Sequence, residues 1–223
     1  SLSDEQGSLT DIDLFNTTAL ASHQQYEPIL AWFKKRQIEL EVNSQAVDTS
    51  GFFDEVAVQL GDNYETLKFV SDQIKYVQGK GFNSAKIQLN KMSKNEITEI
   101  TQFSKLLYEY SFVARYNYDK KDKVIWLTLQ TAVTVTSFFN GIWMEWYVLM
   151  KLLTFFREKS MSAACMRSLS VKFPNEDLNE LDIFFLVGEV PICIECKSGE
   201  YRKDIQKYSG LRKRLKLEKE NFL

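Results

Sequence analysis

Near the end of this 223-residue chain, a strongly apolar stretch carries three charged side chains at a spacing that can do chemistry. They are Asp182, Glu195 and Lys197, within Leu181-Asp182-Ile183-Phe184-Phe185-Leu186-Val187-Gly188-Glu189-Val190-Pro191-Ile192-Cys193-Ile194-Glu195-Cys196-Lys197. Gly188-Glu189 reads as the turn of a hairpin between strands at 180–187 and 190–197. Residues two apart on a strand share a face, so Glu195 and Lys197 point the same way. The turn then sets Asp182 near one of them on the neighbouring strand. Two carboxylates held close in a half-buried place repel, and at least one pKa rises. A divalent cation removes that conflict, and oxygen ligands with room for water suit magnesium or manganese. Such an ion activates water and offsets charge on a phosphate. Lys197 would stabilise the same charge or orient the water. The plainer alternative is a salt bridge from Lys197 to Asp182 or Glu195. It weakens because these strands read as central, where an ion pair is hard to justify energetically.

The elements around the hairpin must position these groups. A long apolar helix is expected over 136–158, and it carries Glu145 among aromatic and aliphatic neighbours in Gly141-Ile142-Trp143-Met144-Glu145-Trp146-Tyr147-Val148. A carboxylate there either snorkels to solvent or is wanted in a site. A strand at 162–173 precedes the hairpin, and a helix over 201–219 follows, with Ile205, Tyr208, Leu211 and Leu215 along one side. That last segment is rich in Lys and Arg. Arg202, Lys203, Gln206 and Lys207 are expected to bind nucleic acid, with Gln206 and Lys207 the positions that look toward the site, against the alternative of a solvated helix face. Cys193 and Cys196 suggest a redox pair or half a zinc site, but strand alternation sends residues three apart to opposite faces. With no second Cys pair, and His23 the sole histidine, reduced core cysteines of a cytoplasmic protein are the better account.

The first half is less informative. Residues 1–26 are polar and read as a tail or linker. Helices are expected over 27–39 and 63–77, with a loop at 43–52 and a short strand at 85–89. Ser93 followed by Glu96 is a capping box, opening a helix with Ile97, Ile100, Phe103, Leu107 and Tyr110 along one side. A hairpin follows, with strands at 111–118 and 123–129 and a charged tip, Asp119-Lys120-Lys121-Asp122. This succession suggests a winged-helix-like unit between about 60 and 130. The usual winged helix has three helices and only two can be placed, so a plain α+β packing module explains the same letters. Three Pro and nine Gly against sixteen Phe and ten Tyr argue against long disorder. A net charge of −2 does not advertise a nucleic-acid partner for the whole chain. The apolar run at 132–156 is interrupted by Asn140, Glu145 and Lys151, and a mid-span glutamate would cost about 2.5 kcal/mol or more in lipid. No membrane partner is therefore expected, nor is a signal peptide apparent.

An acidic residue on a helix, then Asp, then Glu-x-Lys closing a β-hairpin resembles the PD-(D/E)xK, restriction-endonuclease-like nuclease superfamily. The spacing of the Glu145, Asp182 and Glu195-Cys196-Lys197 segments is similar to that in the nuclease domain joined to CARF sensors in CRISPR-accessory endonucleases. The likeness covers about residues 135–215. It implies an α/β chain with a C-terminal restriction-endonuclease-like αβββα core (residues 131–223) behind an N-terminal α+β, winged-helix-like domain (27–130). It further implies that Asp182, Glu195 and the main-chain carbonyl of Cys196 hold Mg or Mn, that Lys197 is the catalytic lysine, and that Glu145 is the helix-borne acid. The implied activity is metal-dependent endonucleolytic hydrolysis of DNA or RNA, and many nucleases of this type work as homodimers. Two departures stand out. No CARF-like Rossmann domain precedes the nuclease-like part, and the strand that normally follows the last helix is missing, the chain ending about where it would begin, as in a fragment of a longer protein. The rivals are a non-cleaving nucleic-acid-binding module with the same fold, and a purely structural interaction domain.

Overall fold

A computed structural model describes residues 23–41, 52–174, 178–197, 199 and 202–223. The expected tail, apart from residues 23–26, and all of the loop at 43–52 except residue 52 lie outside them. The described residues form two compact units: 23–41, 152–174, 178–195 and 204–223 make one, and 52–151 with 196–197, 199 and 202–203 the other.

The first unit is built on a four-stranded antiparallel sheet in the order β1-β5-β6-β7, where β1 is Glu39–Glu41, β5 Ala163–Lys172, β6 Leu178–Val187 and β7 Val190–Ile194. Adjacent residues of β6 face opposite ways, as a strand requires. Phe184 meets Trp32 and Phe33 of helix α1 (His23–Lys34), with ring centroids 5.0 and 4.8 Å away, while Phe185 meets Phe156 at 5.3 Å. Helix α7 (Ile205–Leu215) adds Leu211 and Leu215 to the core that holds Phe33, Leu181, Phe184 and Cys193. Burying a side chain of this size stabilises the fold by about 1.5–3 kcal/mol. Arg214 ties α7 to the sheet, donating to Asn179 Oδ1 at 3.1 Å and lying 4.7 Å over the Phe173 ring.

The expected order of helix, three strands and helix is present: α6 (Trp143–Glu158), β5, β6, β7 and α7. The segment at 27–41, expected in the N-terminal domain, instead supplies this sheet with its edge strand, β1 pairing antiparallel with β5. The helix expected at 27–39 stops at Lys34. Gln37 takes a left-handed conformation (φ 58°), and Ile38 N donates to Phe33 O at 3.2 Å. That closure is a Schellman turn without glycine.

The second unit holds α2 (Phe53–Asp62), α3 (Tyr64–Gly79), α4 (Lys94–Glu109) and a three-stranded sheet in the order β2-β4-β3: Ser84–Gln88, Val124–Leu129 and Val113–Asp119. Helix α2 is a third helix that the sequence expectation left unassigned, although Phe53, Val56, Ala57 and Leu60 are buried at helical spacing. The capping box is present: Ser93 Oγ accepts from Glu96 N at 3.3 Å, and Ser93 N donates to Glu96 Oε2 at 2.7 Å. The long helix expected at 136–158 is interrupted. A short α5 (Val133–Ser137) runs into a π-helical turn, Phe138–Ile142, in which Gly141 has φ 145°, and only then does α6 begin.

Candidate functional site

Asp182 and Glu195 are brought together by the hairpin. The β6–β7 ladder pairs Val187 with Val190 at the turn and ends with Ile183 opposite Ile194. One position further along lie Asp182 and Glu195, across from one another. Facing residues of an antiparallel pair have Cα atoms about 4.5–5.5 Å apart, so the carboxylates converge on a small volume. Both residues are half-buried, and Glu195 Oε1 is shielded from solvent. The Cys193 thiol registers both charges: burial pushes its pKa well above the ordinary value, and the carboxylates of Glu195 and Asp182 push it the same way.

Strand β7 ends at Ile194, earlier than the expected 197, so Glu195, Cys196 and Lys197 follow the strand rather than closing it. Glu195 is nevertheless held at the sheet. Its backbone N–H donates to Leu223 O at 2.9 Å, Leu223 N–H donates to Cys193 O at 2.9 Å, and Phe222 bridges Cys193 in parallel. Phe222 and Leu223 thus lie alongside β7 as an isolated bridge, where the sequence reading placed the strand after the last helix.

A feature of the site that the sequence expectation missed sits on the other side of Asp182. The β5–β6 ladder pairs every residue of β5 except Ser168, and Ser168 stands opposite Asp182. Ser168 has φ 51°, a left-handed conformation unfavourable for a residue with a Cβ. The alternation of both strands changes phase here. Met166 and Leu169, three apart, lie in one core cluster, as do Leu181 and Phe184. Arg167, half-buried beside the break, donates from Nη1 to Ser168 Oγ at 3.0 Å. Strain of this kind concentrates at functional sites, and this break lies opposite Asp182. The phase change was legible in Met166-Arg167-Ser168-Leu169-Ser170-Val171, where apolar residues shift from even to odd positions.

The remaining expected residues fall elsewhere. Glu145 is 7% exposed in the first turn of α6, which excludes snorkelling to solvent. Lys197 is exposed. Glu145 and Lys197 belong to the second unit, Asp182 and Glu195 to the first. Arg202 and Lys203 form a 3-10 turn and are exposed, as are Gln206 and Lys207 in α7, whose last turn closes on the left-handed Lys216. Of the other basic residues in α7, Arg212 caps that end by donating to Leu217 O at 2.9 Å, and Arg214 donates to Asn179 Oδ1 on the sheet at 3.1 Å. None of Cys165, Cys193 and Cys196 is joined in a disulfide. Among the described residues no group of three His, Cys, Asp or Glu side chains is gathered to hold a metal ion. The Asp182–Glu195 pair offers two carboxylates, and the Cys196 carbonyl is the next oxygen along the chain. That donor set is hard and fits magnesium or manganese rather than zinc. No helix among the described residues is long and apolar enough to cross a membrane.

The fold is thus of the mixed α/β class, with helices packed on antiparallel sheets. It is similar to that of Can2 from Sulfobacillus thermosulfidooxidans, solved in complex with cyclic tetra-adenylate, at 15% identity and a TM-score of 0.55, over 84% of this chain and 47% of that one. It is similar also to protein VC1899 from Vibrio cholerae, at 18% identity and a TM-score of 0.53, over 84% of this chain and 48% of that one. The chain spans about half the length of each, and the likeness is one of fold. No protein-family model and no curated protein sequence matches it.

Proposed function

We propose that the chain is a metal-dependent nuclease that hydrolyses phosphodiester bonds in DNA or RNA. The observation that carries this reading is the juxtaposition of Asp182 and Glu195, half-buried and across from one another, beside a strained break at Ser168. Without a cation, two converging carboxylates in partial burial cost stability. Asp182, Glu195 and the Cys196 carbonyl would hold Mg or Mn, which supplies an activated water and positive charge at the phosphate. Lys197, two residues beyond Glu195, would meet the negative charge of the phosphate oxygens. Glu145, buried in α6, would complete the acidic set. Arg202, Lys203, Gln206 and Lys207 would contact the substrate backbone. The fold likeness to Can2, a protein solved with a nucleotide ligand, supports a nucleic-acid context.

One observation favours a second reading, a nucleic-acid-binding module of the same fold that does not cut: the absence of a three-residue metal-ligand group among the described residues. A cleavage assay separates the two. Labelled single- and double-stranded DNA and RNA are incubated with the chain in manganese or in EDTA, and wild type is compared with Lys197→Ala. Manganese-dependent cutting that falls at least 100-fold in the variant supports the nuclease. Equal cutting by both proteins overturns the role of Lys197, and binding of substrate with no cutting in either metal condition favours the module that does not cut.

A further inference from the structure

The three-stranded sheet of the second unit turns one face to its own core through Ala85, Ile87, Ile125, Leu127 and Leu129, all buried. Its other face carries an exposed tryptophan on the central strand. Trp126 is 44% exposed, although it pairs on one side with Lys86 of β2 and on the other with Asn117 of β3. Lys86 Nζ lies 5.0 Å from the centroid of its ring. On the same face Ser84, Gln88 and Arg115 are exposed and polar, Thr128 is half-buried, and Val124, two residues from Trp126, is buried. Phe82, 68% exposed, stands in the lead to β2, about 13 Å along the strand direction from Lys86. A Lys–Trp cross-strand pair on a solvated sheet would account for Lys86 and Trp126 alone. It leaves the second aromatic and the charge of the face without a role.

That charge is lopsided. Strands β2, β3 and β4 with the β3–β4 turn carry Lys86, Arg115, Lys120, Lys121 and Lys123 against Asp119 and Asp122. The Asp119 carboxylate is occupied within the turn, accepting from Lys121 N at 2.9 Å and Asp122 N at 3.0 Å. An exposed indole flanked by cations and by amide and hydroxyl groups matches the needs of an unstacked base next to its phosphates. Duplex bases are already stacked on one another and offer no free face to a flat sheet. We propose that this sheet face is a binding platform for single-stranded nucleic acid. A base stacks on Trp126, Lys86 and Arg115 meet the flanking phosphates, and Asn117, Ser84 and Gln88 meet base edges or sugar. The platform is distinct from the carboxylate pair and does not depend on cleavage, because its binding is measured without metal.

The test is fluorescence anisotropy of end-labelled oligo-dT and oligo-rU of about 15 nucleotides, and of a duplex of the same length, with the full chain in EDTA at about 50 mM salt. Single strands are expected to bind more tightly than the duplex. Trp126→Ala should weaken single-strand binding about 10-fold or more, with Trp126→Phe within about 3-fold of wild type. Lys86→Gln and Arg115→Gln should each reduce the slope of log affinity against log salt by about 0.7. Thermal melts of the variants, all altered at exposed positions, should superimpose on wild type and so exclude unfolding as the cause. The dT and rU arms show whether one sugar is preferred. Single-strand affinity unchanged in Trp126→Ala, or no binding of single strands by the wild-type chain, overturns the proposal. Neither result bears on the carboxylate site, which manganese reports separately.

Discussion

Gly61 is where helix α2 approaches the turn of α6 that follows Glu145, and its replacement by alanine should destabilise the protein even though alanine is the better helix former. A Cβ at Gly61 would lie 2.6 Å from Cγ of Tyr147 and closer still to Cδ2 and Cε2 of the same ring. The ring cannot slide away cheaply. Its hydroxyl donates to Asp62 Oδ1 at 3.0 Å, and Lys151 Nζ donates to the same carboxylate at 3.0 Å. Overpacking of this kind costs about 1–3 kcal/mol, whereas glycine to alanine within a helix gains about 0.8–1 kcal/mol. The net expectation for Gly61→Ala is a loss of about 1 kcal/mol, or about 2–4 °C in Tm for a chain of this size. Removing the ring should reverse the sign. In a Tyr147→Ala background, Gly61→Ala should stabilise by about 0.8–1 kcal/mol, and the double-mutant cycle should show a coupling of about 2 kcal/mol. Urea melts followed by far-UV circular dichroism measure all four proteins. A rise in midpoint for Gly61→Ala in the wild-type background would refute the close approach and, with it, the packing that sets the first turn of α6.

Three further outcomes follow from local chemistry. Ser93→Ala removes the acceptor for Glu96 N and should cost about 1 kcal/mol by urea denaturation, while Ser93→Asp should restore most of it. The Tyr110 hydroxyl donates to the Glu55 carboxylate, and this bond, with burial second, pushes its pKa up to about 12. The folded state therefore holds a proton that the unfolded chain releases near pH 10. The contribution is complete below pH 10 and lost as pH rises toward 12, so the stability difference between wild type and Tyr110→Phe should shrink over that interval in pH-dependent melts. Burial pushes the Cys165 thiol up to about 12, and Cys193 is also buried, whereas Cys196 is partly exposed. Iodoacetamide at pH 8 should alkylate one thiol in the native chain and three in urea, as read by mass spectrometry; rapid labelling of Cys193 in the native chain would contradict its burial.

What could be read from the letters and what could not has physical causes. The capping box at Ser93 and Glu96 and the two hairpins were legible because their signals are local: a side chain three residues from its partner, or a polar tip between apolar strands. Two helix ends were misplaced where glycine was absent: the helices expected to reach 39 and 219 stop at Lys34 and Leu215. Gln37 and Lys216 take positive φ there, and the next residue, Ile38 or Leu217, donates its N–H to the carbonyl five residues before it, a closure for which only Gly81 advertised itself. Strand β1 was missed because three residues, Glu39–Glu41, become a strand only through pairing with β5, more than a hundred residues away in the chain. In the site, the facing of Asp182 and Glu195 followed from turn length alone. The left-handed Ser168 beside them did not, because strict alternation was assumed through a strand whose apolar positions change parity. Glu145 was recognisable as an anomaly in an apolar helix, and its burial follows from the aromatic neighbours that made it anomalous.

The central claim is that Asp182 and Glu195 form a divalent-ion site, and thermal melts with and without manganese test it most directly. Binding to the folded state alone stabilises by about 2.7 kcal/mol at an ion concentration one hundred times Kd. Manganese should therefore raise the Tm of wild type and leave Asp182→Ala and Glu195→Ala unmoved. Without metal, Asp182→Ala should melt at or above the wild-type temperature, because the repulsion between the two carboxylates is gone. A metal-free Asp182→Ala that melts clearly below wild type, together with a wild type indifferent to manganese, would instead identify Asp182 as one half of a structural ion pair and contradict the account.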